Sequence, residues 1–306
     1  MVNNIEIKNF LTFDYLKIDP LKRINLIGGK NNSGKTSLLE ILLIYISQGE
    51  SNVMNTVLNN RGQWESGMND PYRRLMHDNI KEQPAIAKIN ALTLIYDENE
   101  RSQLSWNGNQ KELNINTNRH LTEKYFTYIP SNTDTLKLAR LWDKIVFTDD
   151  EEEIIGLIQK IAFEKIDRIH ISNNSVIAKI NDKRVDIKTL GEGVSRILFI
   201  MTYLVSAKGK YFIIDEFENG LHYTVQEQLW DVIFEYAEKW NIQVFATTHS
   251  RDAIKSFKYA CSKFEKDGKV DAQYIRLQKS RAGQFEAIAY DNERLLQSLD
   301  LNLEIR

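Results

Sequence analysis

The first 47 residues change from alternating to continuous apolar positions. The stretches IEIKNF and YLKIDP alternate with a period of two, which is typical of half-buried strands, whereas INLIGG is a short apolar run typical of a buried strand. From Thr36 to Ser47 the apolar residues fall at helical spacing. The chain is therefore predicted to open with strands, followed by a glycine-containing loop and a helix.

Two further patterns occupy the middle of the chain. Residues 50–85 are polar, rich in Asn and Gly and without sustained periodicity, so we expect an insertion with short helices. Residues 87–116 are typical of antiparallel strands joined by DENE and NGNQ, and the second of these contains the Asn-Gly signal of a hairpin. We therefore expect a second sheet in this part of the chain.

From about Thr133 the pattern becomes helical. It continues through TDTLKLARLWDKIVF and TDDEEEIIGLIQKIAF, and Thr148 is placed to cap the second helix. The acidic run at 149–153 fits a helix start, because the helix dipole favours negative charge in the first turn. No heptad pattern persists and no internal repeat occurs, so long coiled-coil arms are not expected.

Composition narrows the class of protein but does not identify a partner. The 306 residues include 42% hydrophobic side chains, and 40 basic against 42 acidic residues give a formal net charge of -2. The single cysteine, Cys261, excludes an intrachain disulfide framework and is expected to be a packed thiol. No apolar run approaches the roughly 20 residues of a membrane span. The N-terminus lacks a secretion signal, so we expect a cytoplasmic protein without membrane contact.

A phosphate-binding pattern lies between the first buried strand and the first helix. Residues 29–36, GKNNSGKT, match G-x-x-x-x-G-K-[ST], in which consecutive backbone N–H groups wrap phosphates. Lys35 is expected to reach the β- and γ-phosphates, and the Thr36 hydroxyl to bind Mg²⁺. Asn32 stands where glycine is frequent, but Asn tolerates left-handed geometry better than most residues. The predicted ATP-binding residues are Gly29, Lys30, Asn31, Asn32, Ser33, Gly34, Lys35, Thr36 and Ser37.

Two later strands end in candidate catalytic side chains. KYFIIDEFENGLHY contains an apolar strand that delivers Asp215 and Glu216 at its carboxyl end, where ligands bind in open α/β sheets. Asp215 is a candidate Mg²⁺ ligand through water, and Glu216 is a candidate to polarise the water that attacks a γ-phosphate. NIQVFATTHSRD contains the next strand, and His249 at its end is a candidate contact to that phosphate. Glu216, His249 and Lys35 therefore form the predicted catalytic set.

A glycine-rich turn precedes another predicted helix in LGEGVSRILFIMTYLV. The helix has an apolar side formed by Ile197, Leu198, Met201, Leu204 and Val205. A glycine-rich helix start is an anion site, but the turn at 190–193 is equally consistent with a simple change of chain direction. From its residues alone, both interpretations stay open.

The order of these motifs resembles an ABC-type ATPase head. The phosphate loop, the glycine-rich helix start, IIDEFENGLH and FATTHS are closest to the bacterial OLD-like (overcoming lysogenization defect) group of AAA-family defence ATPases, which is related to recombination and chromosome-maintenance heads. The resemblance implies an α/β P-loop NTPase fold of ABC-ATPase type, a mixed sheet lobe with an inserted helical lobe. Residues 1–306 would form a single head, with lobe I at about 1–129 and 206–306 and the helical lobe II at about 130–205.

The resemblance also implies that two heads sandwich two ATP molecules. Each phosphate loop would face the signature turn of the other subunit, which is carried over here to Gly191, Glu192 and Gly193. The usual turn is L-S-G-G, so Gly191 replaces a serine and Glu192 replaces a glycine. No glutamine is assigned to the water-orienting position, for which YIPSN, residues 128–132, is the candidate.

The function implied by the resemblance is Mg²⁺-dependent ATP hydrolysis with dimerisation on ATP. The head would control a separate effector, a nuclease or toxin in phage defence or DNA maintenance, with a TOPRIM-type nuclease as one candidate. The chain has no D-x-D element, so cutting activity is expected to come from another polypeptide. The alternatives are a DNA-binding structural head of the chromosome-maintenance type and, less favoured, the nucleotide-binding subunit of a membrane transporter. Direct DNA binding and the size of the homo-oligomer stay open.

Overall fold

The computed structural model describes most of the chain, with gaps concentrated between residues 64 and 123. The described residues are 1–63, 74–75, 85–89, 92–96, 103–106, 109–112, 124–131, 135–162, 165–172, 175–265 and 271–300. The strands are β1 (Ile5–Phe10), β2 (Phe13–Ile18), β3 (Ile24–Gly28), β4 (Ala85–Ile89), β5 (Leu92–Tyr96), β6 (Gln103–Trp106), β7 (Asn109–Glu112), β8 (Phe126–Ile129), β9 (Ile166–Ser172), β10 (Ser175–Ile180), β11 (Lys183–Asp186), β12 (Tyr211–Ile214), β13 (Gln243–Thr248), β14 (Ala272–Lys279) and β15 (Phe285–Tyr290). The helices are α1 (Lys35–Ile46), α2 (Ser51–Asn60), α3 (Thr135–Trp142), α4 (Asp149–Ala162), α5 (Glu192–Ser206), α6 (Tyr223–Lys239), α7 (Arg251–Glu265) and α8 (Asn292–Asp300), with a short 3-10 helix at Ile187–Leu190.

A six-stranded sheet in the order β15-β14-β3-β13-β12-β8 forms the centre of the described chain. Its neighbouring strands pair in parallel, except β15, which is antiparallel to β14. All residues of β3 and β13 are buried, as expected for parallel strands that are covered on both faces. The carboxyl ends of β3, β12 and β13 meet at one edge of the sheet. The phosphate loop begins there after β3, the acidic pair Asp215 and Glu216 follows β12, and His249 follows β13.

The central sheet separates two hydrophobic clusters. Successive side chains of a strand point to opposite faces, so Leu26 and Phe212 belong to one cluster while Ile27 and Ile213 belong to the other. The first cluster also includes buried residues of α3 to α7, and the second includes those of α1, α2 and the strands β1 and β2. The α/β architecture predicted from the sequence is therefore confirmed.

The predicted second sheet is present, and it joins the N-terminal strands. It has the order β2-β1-β4-β5, and all its pairs are antiparallel. Strands β6 and β7 form a separate antiparallel pair, and Asn107 and Gly108 between them lie outside the described residues. Helix α2 occupies the start of the expected insertion, whereas residues 64–84 are described only at Arg74 and Leu75.

The segment predicted as a helical lobe contains strands as well as helices. Helices α3, α4 and α5 are present, but β9, β10 and β11 form a three-stranded antiparallel sheet that the sequence analysis did not predict. Helix α4 begins at Asp149 and has four acidic residues in its first turn, as expected. The Thr148 hydroxyl donates to the Ile145 carbonyl, and Glu151 Oε2 accepts the Phe147 N–H at 2.7 Å, so capping of α4 by Thr148 stays a prediction. The division into two lobes remains a prediction.

Two further expectations from the sequence were a packed Cys261 side chain and no apolar segment long enough to span a membrane. Cys261 is buried in α7, and burial raises the pKa of its thiol, in agreement with the predicted packed cysteine. In the part of the chain that the structure describes, no helix combines the length and the apolar character needed to span a bilayer.

Candidate active site

The phosphate loop connects the end of β3 to the start of α1. Asn32 has a φ of 62° and Gly34 a φ of 90°, so the loop uses left-handed backbone geometry at both positions. A Cβ atom at Gly34 would also lie 2.7 Å from the Phe13 ring, so packing and backbone geometry both favour glycine there. The loop leads into the N-terminus of α1, where free backbone N–H groups and the helix dipole attract anions.

Lys35 is held against the loop that precedes it. Its Nζ donates hydrogen bonds to the carbonyl oxygens of Gly29 and Lys30, both at 2.8 Å. Burial lowers the pKa of Lys35, and the negative charges of Asp215, Glu218 and Glu216 oppose that shift. The lysine charge is therefore placed between the loop and a group of carboxylates.

Asp215 lies directly after β12 and joins three segments of the site. It is buried, and its Oδ2 accepts a hydrogen bond from Thr36 Oγ1 at 3.2 Å. Its Oδ1 accepts a hydrogen bond from Thr247 Oγ1. Burial raises the pKa of Asp215, while these two hydrogen bonds and the charge of Lys35 oppose the shift.

The Thr36 hydroxyl and the Asp215 carboxylate fit a Mg²⁺ site of the nucleotide-dependent kind. Mg²⁺ prefers oxygen ligands and is often held by one or two carboxylates together with substrate phosphates, rather than by a protein cage. The described residues contain no cluster of three or more His, Cys, Asp or Glu side chains that could hold a metal alone. A cation at this position would also offset the cost of burying the Asp215 charge.

Glu216 follows Asp215 in a strained conformation. Its φ is 51°, which is uncommon for a residue with a side chain and is often found at functional sites. Its N–H donates to Thr247 Oγ1 at 2.8 Å, and its Oε2 accepts from Asn219 Nδ2 at 2.7 Å. Hydrogen bonds therefore hold both the backbone N–H and the carboxylate of Glu216, and the side chain is 37% exposed.

His249 lies at the end of β13, close to two carboxylates. Its Nδ1 is 4.0 Å from Glu216 Oε1 and 3.1 Å from Glu218 Oε1. The backbone N–H of His249 also donates to Glu218 Oε1 at 2.8 Å. The structure therefore brings His249 close to Glu216, and adds Glu218, which the sequence analysis did not single out.

Arg196 connects helix α5 to the residues after β12. It is only 5% exposed, and its Nη2 donates to the carbonyl oxygens of Asp215 at 3.3 Å and Glu216 at 3.1 Å. Burial lowers the pKa of Arg196 to about 10, against the opposing effect of the nearby carboxylates. The sequence analysis missed this residue, because its partners are backbone atoms that no side-chain motif reveals.

The candidate signature turn begins α5 and faces the loop after β12 of the same chain. Gly191 has a φ of 102°, and Gly191 and Glu192 are exposed. A Cβ atom at Gly193 would lie 3.4 Å from the carbonyl oxygen of Gly220. In this chain the turn therefore lies against the loop that contains Glu216, and its backbone remains accessible.

The candidate for the water-orienting position lies beside the same loop. Strand β8 pairs in parallel with β12, so Pro130 and Ser131 follow it at the edge where the site forms. The Ser131 carbonyl accepts a hydrogen bond from Asn219 Nδ2 at 3.4 Å. Asn132, the last residue of the YIPSN candidate, lies outside the described residues.

Comparisons with known proteins identify the family of this chain. The model of the AAA ATPase domain family matches residues 1–63 and 62–254. The chain belongs to the AAA ATPase domain family. A Helicobacter pylori protein named ATP/GTP phosphatase is 24% identical over 325 residues, which cover 83% of this chain and 87% of that protein. This AAA-family chain is therefore a P-loop ATPase, as the sequence predicted.

Solved structures of Smc heads have the same fold as this AAA-family chain. An Smc head bound to the C-winged helix domain of ScpA has a TM-score of 0.66 at 14% identity and covers 97% of this chain and 99% of its own. The Smc head domain from Thermotoga maritima has a TM-score of 0.57 at 11% identity and covers 95% and 99%. These identities are too low to transfer more than the fold. The predicted ATPase head is confirmed at this level, while the OLD-like branch remains a prediction.

Proposed function

We propose that this chain is a Mg²⁺-dependent ATPase head that pairs with a second copy over ATP and thereby controls a separate effector protein. The observation that supports this most strongly is the convergence of Lys35, Thr36, Asp215, Glu216 and His249 at one edge of the central sheet. These residues come from three separate parts of the sequence. Together they match the needs of phosphoryl transfer, which depends on positioning and charge stabilisation.

Each residue has a distinct part in the proposed reaction. Lys35 binds the β- and γ-phosphates, and the loop N–H groups hold their oxygens. Thr36 and Asp215 hold Mg²⁺, which when bound neutralises phosphate charge. Glu216 orients and polarises a water molecule toward the γ-phosphorus, and His249 contacts the γ-phosphate. Water then adds to that phosphorus as the bond to the bridging oxygen breaks, so the products are ADP and inorganic phosphate.

The pairing part of the proposal concerns the turn at Gly191, Glu192 and Gly193. Two of its residues are exposed, and helix α5, which follows it, carries Arg196 to the backbone of Glu216. A nucleotide bound to a second copy that contacted this turn would therefore contact the start of α5. This is the helix whose Arg196 is hydrogen-bonded to the backbone of Asp215 and Glu216. The ABC-type likeness supports the same arrangement, although the turn departs from the usual motif at Gly191 and Glu192.

The effector part of the proposal rests on resemblance. The OLD-like pattern favours a nuclease or toxin as the partner in phage defence or DNA maintenance, with a TOPRIM-type nuclease as one candidate. A solved head with this fold is bound to a domain of another protein, ScpA, which supports a separate protein partner. The second candidate is a structural head that binds DNA, which the likeness to Smc heads favours. Salt-dependent retention of the purified chain on DNA would favour this second candidate.

The decisive experiment combines a hydrolysis variant with a turn variant. Glu216→Gln keeps a hydrogen-bonding oxygen but loses the charge, so hydrolysis should fall while ATP binding survives. The ATP-bound pair should then accumulate and raise the mass measured by light scattering with Mg-ATP. Adding Gly193→Asp should oppose this, because it places a negative charge where a γ-phosphate would approach.

Two controls make this experiment specific. Gly193→Ala introduces the Cβ atom near the Gly220 carbonyl without the charge, so it should leave ATP-driven assembly nearly unchanged. Lys35→Ala should abolish nucleotide binding measured by calorimetry, and with it any assembly. An ATP-independent mass of Glu216→Gln, or equal assembly with Gly193→Asp and Gly193→Ala, would contradict pairing through this turn.

A further inference from the structure

Glu218 contacts one histidine at two atoms through a single oxygen atom. Its Oε1 accepts the backbone N–H of His249 at 2.8 Å and lies 3.1 Å from the Nδ1 of the same residue. The Glu218 side chain is 9% exposed, whereas that of His249 is 48% exposed. Glu216 lies farther from this ring nitrogen, at 4.0 Å. Glu218 is therefore the closer carboxylate and holds the histidine from its buried side.

The loop that carries Glu218 is fixed by its neighbours. The N–H of Phe217 donates to the Thr247 carbonyl at 2.9 Å, which ties this loop to β13 two residues before His249. The Phe217 ring is fully buried and stacks on Trp230, with a centroid separation of 4.2 Å. Because these contacts anchor the residue directly before Glu218, its carboxylate has a defined position relative to the histidine.

A carboxylate at this place also selects the proton position on the ring. An ionised carboxylate only accepts hydrogen bonds, so Nδ1 must carry a hydrogen to bond with Oε1. The other ring nitrogen, Nε2, then presents a lone pair in the neutral ring and an N–H in the cation. Groups that orient a functional histidine in this way determine which nitrogen is available for chemistry.

We propose that Glu218 is the positioning residue of His249, fixing its ring orientation and its Nδ1-protonated form so that Nε2 is left for the terminal phosphate of the nucleotide. This inference rests on the proposed function, because it assumes that His249 contacts that phosphate. Glu218 itself touches neither substrate nor metal in this assignment.

The variants Glu218→Gln and Glu218→Ala separate this role from a structural one. The carbonyl oxygen of glutamine can replace Oε1 in both contacts, the backbone hydrogen bond and the approach to Nδ1, so Glu218→Gln should retain the ring orientation, whereas Glu218→Ala removes both contacts. Glu151→Ala is a matched control, because Glu151 Oε2 also accepts a backbone N–H, that of Phe147 at 2.7 Å, at the start of α4. The control measures the effect of losing such a bond elsewhere in the chain.

The first measurement needs no nucleotide. Long-range ¹H–¹⁵N spectra of the full chain labelled on histidine nitrogens, recorded at about pH 8.5 where an ordinary imidazole is neutral, report the tautomer of each ring. His249 is identified by the signals that are lost in His249→Asn. We expect the Nδ1-protonated form in the parent, in Glu218→Gln and in Glu151→Ala, and loss of that preference in Glu218→Ala.

The second measurement is steady-state ATP hydrolysis. Glu218→Ala should lower kcat about tenfold, within the range seen when an outer residue that orients a functional histidine is removed, while KM changes less than about twofold. Glu218→Gln should recover most of that loss. An unchanged tautomer or an unchanged kcat in Glu218→Ala would overturn the inference. If the parent itself does not hydrolyse ATP, the proposed function fails, and the tautomer measurement still decides whether Glu218 positions the ring.

Discussion

The Thr36 hydroxyl donates a hydrogen bond to Asp215 Oδ2 at 3.2 Å, although 179 residues separate the two in the sequence. This bond links the first turn of α1 to the end of β12. The other oxygen of the same carboxylate accepts a hydrogen bond from Thr247 on β13. Hydrogen bonds from α1 and β13 therefore fix the position of the Asp215 carboxylate relative to the Thr36 hydroxyl.

The first prediction concerns Thr247→Val. The Thr247 hydroxyl donates to Asp215 and accepts the Glu216 N–H, so valine leaves both groups without that partner. We expect the free energy of unfolding to fall by about 1–3 kcal/mol and kcat for ATP hydrolysis to fall at least about tenfold. Urea titration and a phosphate-release assay measure the two effects.

Thr127→Val is the matched control for that substitution. Thr127 is also buried in the central sheet, and its hydroxyl donates to the Tyr203 carbonyl at 3.0 Å. Thr127→Val should lower the free energy of unfolding by a comparable amount but leave kcat within about twofold of the parent. Equal kcat values for the two valine variants would mean that the Thr247 hydroxyl is only structural.

The second prediction is that Arg196→Met lowers ATP hydrolysis without lowering the stability of the fold. Arg196 is buried, and within the described chain its Nε and Nη1 have no hydrogen-bond partner, so the charge is costly to bury. Methionine has a similar length without that cost, and we expect the free energy of unfolding to stay within about 1 kcal/mol of the parent or to rise. Hydrolysis should fall, because the carbonyl groups of Asp215 and Glu216 lose their guanidinium partner.

Arg23→Met provides the comparison for Arg196. Arg23 likewise donates to backbone carbonyls, those of Ala237 at 3.3 Å and Ile242 at 3.5 Å, but it lies at the start of β3, away from the phosphate loop. It should leave kcat unchanged. Full activity of Arg196→Met with Mg-ATP would show that the hydrogen bonds from Arg196 of α5 to the backbone of Asp215 and Glu216 do not affect hydrolysis.

The third prediction concerns the bond between Asn219 and Glu216. Asn219 Nδ2 lies 2.7 Å from Glu216 Oε2, so Asn219→Asp would place two carboxylates side by side. Like-charge repulsion at that distance should push Glu216 out of position and lower kcat by more than Asn219→Ala does, even though aspartate is the closer match in shape. Phosphate release at saturating Mg-ATP ranks the two variants, and a higher kcat for Asn219→Asp would contradict this role of Asn219.

The parts of the site that the sequence predicted are those that follow from local patterns and from sheet geometry. The apolar runs before Gly29, Asp215 and His249 indicated three buried strands. Parallel strands of one sheet end at the same edge, so the residues after them were expected to converge. The helix at α5 was also predictable, because its apolar residues repeat at helical spacing and glycine precedes it.

The parts that were missed depend on contacts between distant segments. Glu218 contacts His249 across 31 residues, and Arg196 contacts the backbone of Glu216 across 20 residues, so neither has a local pattern. Thr247 was assigned only to its strand, although its hydroxyl bonds both acidic residues. Strands β9 and β10 were missed for a different reason. RIHIS and SVIAKI do alternate, but they lie between two stretches of helical pattern, so the whole segment was predicted to be helical.

The last prediction concerns the pH dependence of stability through Glu40. Glu40 is buried on α1, and its Oε2 accepts hydrogen bonds from Arg61 Nη2 at 2.6 Å and Nε at 2.8 Å. Burial nevertheless raises its pKa above the ordinary value of a glutamate, with Arg61 opposing the shift. At pH values between the ordinary pKa and the raised pKa, Glu40 binds a proton in the folded chain but not in the unfolded chain. The contribution of Glu40 to the free energy of unfolding must therefore fall as the pH rises through that window.

Two variants isolate that contribution. Glu40→Gln removes the titrating group but keeps an oxygen for Arg61, so the stability of the parent relative to this variant should fall as the pH rises through the window. Arg61→Gln removes the charge that opposes the shift, so the raised pKa should rise further and the same decline should extend to higher pH. Urea unfolding at a series of pH values measures the three chains. A parent that gains stability relative to Glu40→Gln as the pH rises would show that the pairing with Arg61 outweighs burial and lowers the pKa of Glu40.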